Sequence, residues 1–201
     1  MGTRHLICVF KDGEYKVAQY GQWDGYPEGQ GINCLEFLKC KMDRKLFEEK
    51  LRMIRFGTEE ELHNQWKECG ADDSGWVDMK VSDKHEELYP ENCRDTGAKI
   101  LSIIQNTEKF LILDNRLKFA EDSLFCEWAY VIDLDKNTFE VYEGYNHSSL
   151  NENERFFNIE KIDTEYYPVK HVVTYNLNDL PTKEEFLKYF EDKYENEEGE
   201  E

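Results

Sequence analysis

Positive charge is in short supply: 25 lysines and arginines face 44 aspartates and glutamates, for a formal net charge of −19. A field of that sign repels phosphate backbones, because a nonspecific nucleic-acid binder needs cations that displace condensed counterions. Anionic membrane surfaces are disfavoured for the same reason. A small anion in a local positive pocket stays compatible, since salt screens the wider field within about 8–10 Å. No apolar run approaches the roughly eighteen residues of a transmembrane helix, and no secretory leader is visible. Myristoylation is not expected from Met1-Gly2, because Leu6 stands where that signal wants Ser or Thr. No two of Cys8, Cys34, Cys40, Cys69, Cys93 and Cys126 form a CxxC pair, so zinc knuckles are not expected. Free, mostly buried thiols in a reducing cytoplasm are the reading. His5, His63, His85, His147 and His171 show no HxH or HxxxH spacing. No intrinsic metal and no cofactor are expected.

What is present suits a folded body. Of 201 residues, 39% are hydrophobic and 14% aromatic, enough for the core of one domain. The expected organisation is a single α+β domain over residues 1–190 and a disordered acidic tail over 191–201, a stretch with seven acids and one lysine. The spacing predicts a β-hairpin from His5–Phe10 and Tyr15–Tyr20 about an Asp12-Gly13 turn. A Gly- and Pro-punctuated loop, Gly21 to Gly31, follows. Helical periodicity then runs from Ile32 to Gly70, with Thr58 and Glu61 as a capping box. A further helix is expected from about Thr96 to Asn106. The C-terminal half reads as antiparallel strands near Phe110–Leu113, Glu127–Leu134, Thr138–Tyr142, Phe156–Ile162 and His171–Tyr175, before a final helix opened by Pro181-Thr182-Lys183. An αββα sandwich is one arrangement of these elements.

Gly2-Thr3-Arg4-His5 and the stretch from Gln19 to Gly31, with Arg94 to Lys99 and Phe125 to Asp135, resemble an uncharacterised family of bacterial, phage and fungal proteins. Its marks are an N-terminal MGTR strand and a DGYPxGxG loop. The resemblance spans most of the folded body and implies no activity. Physically, the hairpin returns the chain to its own start, so the loop leaving Tyr20 is expected beside Arg4. Gly29 and Gly31 precede the Ile32 helix, and their amides could serve a phosphate or carboxylate. The expected ligand-binding residues are Arg4, His5, Gln22, Trp23, Asp24, Tyr26, Glu28, Gly29 and Gly31, with Arg4, Asp24 and the amides of residues 29–31 lining one pocket. The bland alternative is that the glycines permit tight turns while Trp23, Tyr26 and Pro27 plug the core edge. The leading function is a cytoplasmic small-molecule-binding or regulatory domain, in host or phage physiology, taking a small anionic or amide-containing ligand.

Two rivals stand beside it. Gly2-Thr3 followed by a strand, a turn and a strand resembles the mature start of proteasome β subunits, which are N-terminal-nucleophile hydrolases. That resemblance implies Thr3 as nucleophile in a hydrolase of amide or phosphoester bonds. Here Gly2 would have to be removed, and Lys39 and Lys41, the lysines considered for the partner role, fall in a predicted helix. The other rival is a protein-interaction module using Trp66, Trp76, Tyr166 and Tyr167. Asp95-Thr96-Gly97-Ala98 matches the aspartic-protease tetrad, but polar residues precede it and a helix follows. Asp95 or Thr96 is therefore expected to cap that helix.

Overall fold

The computed structural model describes residues 2–72, 76–159 and 165–198, with side chains as far as Glu195. Strands β1 (His5–Lys11) and β2 (Glu14–Gly21) pair antiparallel, from His5 opposite Gly21 to Lys11 opposite Glu14. Asp12 and Gly13 take φ of 56° and 78°, the left-handed turn that matches strand twist. Both of their amides donate to the Asp135 carboxylate, which ties this turn to the next hairpin. There β5 (Trp128–Asp133) and β6 (Thr138–Glu143) are joined by a turn with Asn137 at φ 60°. Strand β5 lies parallel to β1, and β7 (Lys170–Asn176) adds antiparallel to β6. The order is β2-β1-β5-β6-β7.

Alternate residues of a strand face opposite sides, so this sheet feeds two cores. Ile7, Val9, Tyr130, Ile132 and Phe139 face a helical layer. That layer contains α1 (Ile32–Glu36), α2 (Arg44–Lys50), α5 (Lys99–Asn106) and α6 (Lys183–Glu198). Leu6, Cys8, Ala129 and Val131 face the other way, closed over by Ala120, Cys126, Phe156 and Val169. Helices α3 (Glu59–Cys69) and α4 (Met79–Leu88) pack on each other, with the Trp66 and His85 rings stacked at 3.7 Å. The result is one compact α+β domain.

Several expectations are corrected. Residues 27–31 form a π-helical turn, with Pro27 at its first position, where a missing N–H costs nothing. Within the run from Ile32 to Gly70 expected to be helical, Ile54–Phe56 is instead strand β3, paired in parallel with β4 (Leu111–Leu113). Helix α4 was not expected from its polar sequence; Asp78 caps it by accepting from Val81 N. Helix α5 starts at Lys99, after Ala98 in the cap position, so neither Asp95 nor Thr96 is its cap. Thr96 instead donates to the Pro90 carbonyl at 2.5 Å. Residues 156–159 are turns rather than strand, and 160–162 lie outside the described residues. The β3–β4 pair is a small separate ladder, so the described residues do not form the two stacked sheets of an αββα sandwich. The capping box of α3 is present as expected, with Thr58 and Glu61 bonding reciprocally. The acidic end enters the structure as the continuation of α6 through Glu198, and 199–201 lie outside the described residues.

Candidate functional site

The glycine loop folds back over the start of β1. The Gly25 amide donates to the Thr3 carbonyl at 3.0 Å, and the Tyr130 hydroxyl donates to the Gly25 carbonyl at 2.7 Å. A Cβ at Gly21 would sit 2.1 Å from the His5 ring, and one at Gly25 would sit 2.8 Å from the Thr3 carbonyl oxygen. These two glycines are required by close approach, and what they approach is the chain around His5. A second segment closes the other side. Gln22 N donates to the Arg94 carbonyl at 2.9 Å, and Ala98 N donates to Gln30 Oε1 at 2.9 Å.

Between loop and segment lies a cavity of about 540 Å³ with His5 in its wall. His5 is 1% exposed, and neither ring nitrogen has a hydrogen-bond partner among the described residues. Burial pushes its pKa down to about 4, against a smaller opposing pull from the Thr3 backbone. The imidazole is therefore neutral at pH 7, with one donor and one acceptor unspent. Leaving such groups unsatisfied costs about 1–3 kcal/mol each, which a ligand or water placed against the ring would offset.

Electrostatics distinguish this cavity from the rest of the surface. Lys41, Arg94 and Lys99 line it against Asp24 and Asp95, three positive groups against two in a chain of net −19. Arg94 Nε is 3.9 Å from Asp95 Oδ1, whereas Lys41 and Lys99 form no ion pair among the described residues. Asp24 is held at φ 56°, unusual for a residue other than glycine, while its carbonyl accepts from Gln30 N at 2.9 Å.

Of the residues expected from sequence, His5, Trp23 and Asp24 line this cavity. Arg4 does not: its amide donates to Glu127 Oε1 and its guanidinium lies 4.8 Å from the Phe125 ring centre. Residues alternate along an extended chain, so the arginine and its neighbour His5 diverge. The amides of residues 29–31 are consumed within the π-helical turn, Gly29 and Gly31 donating to Tyr26 O and Gln30 to Asp24 O. The expected pocket of Arg4, Asp24 and these amides is thereby corrected to Asp24 alone. Gln22 accepts from the Tyr20 hydroxyl, while Tyr26 and Glu28 are exposed. Thr3 is buried under the loop and does not line the cavity. Lys39, weighed as a partner for Thr3, donates to the carbonyls of Leu180 and Pro181.

Sequence reasoning missed Gln30, Lys41 and the 94–99 wall. The only available signal was Arg94 to Lys99 sharing the resemblance that drew attention to the loop. Glu86, Cys93 and Asp95 each bring one potential metal-ligating atom within 4.8 Å of the others. Such convergence is common without an ion in a chain with 44 acids. No helix among the described residues is long and apolar enough to cross a membrane. No family profile matches the chain, and searches of curated proteins and of solved structures find no match to it.

Proposed function

We propose that the chain is a small-molecule-binding domain whose ligand sits against His5, beneath the loop of residues 21–31. The observation that carries this reading is the His5 ring, 1% exposed with both nitrogens unpartnered, in the wall of a 540 Å³ cavity. The ligand presents an amide or carboxyl group to the imidazole and negative charge to Lys41, Arg94 and Lys99. Occupancy would brace the loop against the 94–99 segment, which gives the domain a regulatory output. Binding without turnover is favoured over hydrolysis. Thr96 spends its hydroxyl on a carbonyl, and no described base bonds the Ser102 hydroxyl that also lines the wall.

Succinate, succinamate and glycerol phosphate, titrated up to millimolar concentrations, provide the test. At least one should raise the Tm of the wild-type protein by several degrees, and His5→Asn and Arg94→Gln should abolish that rise. Silence from all three probes, together with a bare mass in native mass spectrometry of protein isolated from its own cells, would overturn the reading.

A further inference from the structure

A second cavity, of about 1040 Å³, lies on the far side of residues 93–95. Its wall carries another buried imidazole, with one unpartnered nitrogen. His85 is 2% exposed, its Nε2 has no partner, and Trp66 stacks on its face with rings 5° from parallel. Burial lowers the His85 pKa, so the ring is neutral at pH 7. The electrostatic balance is the reverse of that in the first cavity. Asp78, Asp95, Asp114, Glu121 and Asp122 line it against Arg94, Arg116 and Lys118, five negative groups against three. Arg116 is spent on Asp114, with Nε 2.5 Å from Oδ2, and Arg94 lies beside Asp95. The Asp122 carboxylate makes no hydrogen bond or ion pair among the described residues. The remaining lining mixes polar Gln19, Ser82, Asn92 and Asn115 with apolar and aromatic side chains. Tyr20 and Phe119 meet edge to face at 4.9 Å, and Met79 at the rim is 79% exposed.

We propose that this cavity binds an organic cation, a primary amine carried on a flat apolar body. The ammonium pairs with Asp122, the aromatic walls favour a positive charge near their faces, and the body covers Met79. His85 Nε2 accepts a hydrogen bond from the ligand in the tautomer that leaves that nitrogen unprotonated. A flat anion of the same shape is rejected by the surplus of carboxylates. This site shares Arg94 and Asp95 with the wall of the His5 cavity but involves neither His5 nor the glycine loop.

Tryptamine and indole-3-propionate share an indole body and carry opposite charges, so they separate charge from shape. In isothermal titration calorimetry at pH 7, tryptamine should bind at least tenfold tighter than indole-3-propionate. Asp122→Asn should weaken tryptamine about tenfold by removing its counter-charge. Met79→Lys should do likewise by placing a like charge at the rim, and because Met79 is exposed this variant keeps the fold. No heat from tryptamine at millimolar concentration overturns the proposal, as does equal affinity for the two probes. Binding that both variants leave unchanged overturns it as well, by placing tryptamine elsewhere.

Discussion

A neutral imidazole enclosed without partners makes stability depend on pH in one direction. The unfolded chain binds a proton at His5 near pH 6.5, whereas the folded protein resists it down to about 4. Between those values the unfolded state holds more protons, so stability is full above pH 6.5 and falls as the solution is acidified. The drop attributable to His5 is about 3 kcal/mol, from 1.36 kcal/mol per unit. Denaturant unfolding at pH 7 and pH 4 should show the wild-type protein losing about that much more than His5→Asn; equal losses would mean that the ring finds a partner in solution. Arg4, one position earlier, makes the opposite case. Its guanidinium rests on Phe125 at the surface, so Arg4→Ala should cost no more than about 1 kcal/mol and leave ligand binding at His5 unchanged. Thermal melts and probe titrations of that variant check both halves.

Elements whose signals are local were legible. Asp12-Gly13 demands a left-handed turn wherever it sits, and Thr58 with Glu61 caps a helix without help from the rest of the fold. Strand β3 and helix α4 were not legible for tertiary reasons. Ile54–Phe56 is a strand because Leu111–Leu113 supplies its partner more than fifty residues later, and α4 buries only His85, stacked on Trp66 of α3. The site was half legible: the hairpin brought the glycine loop to His5, but nothing local announced that residues 94–99 would form the facing wall. The same long range governs Arg155, which bonds Asp133 on β5 and Glu140 on β6. Burial alone would raise the Glu140 pKa, and hydrogen bonds from Arg155 and Tyr142 more than reverse it. Arg155→Ala should therefore destabilise by about 3–5 kcal/mol at pH 7, since two carboxylates stay buried without their cation. The gap to wild type should narrow as the solution is acidified from pH 7, because Glu140 without its guanidinium takes up a proton more readily in the folded variant. Chemical denaturation across that range is the check, and a gap that stays constant would exclude carboxylate ionisation as its cause.

Across the whole molecule, a net charge of −19 works against compaction, and the C-terminal helix concentrates part of it. Phe186 and Phe190 anchor α6 in the core, while Lys193 and Tyr194 both reach Glu143 on β6, at 2.8 and 3.0 Å. Among the described side chains the last of these anchors is Tyr194, and the helix runs on to Glu198. Deleting residues 195–201 removes five acids and takes the net charge from −19 to −14, without touching those anchors. Loss of a segment so rich in acids and so poor in apolar side chains costs little, and relief of self-repulsion offsets part of it. The Tm should stay within about two degrees of the full chain at physiological salt. Cutting before Glu191 instead removes Lys193 and Tyr194 with their Glu143 contacts. Exposed or half-exposed pairs of this kind contribute up to about 1 kcal/mol, so that truncation should lower the Tm by a few degrees. Calorimetry of both truncations in 10 mM and 150 mM salt separates the effects: the shorter deletion should gain stability relative to the full chain at low salt, where repulsion is least screened. A large fall in Tm on removing 195–201 alone would show that the acidic end docks on the body, and would place its charge among the interactions that hold the fold.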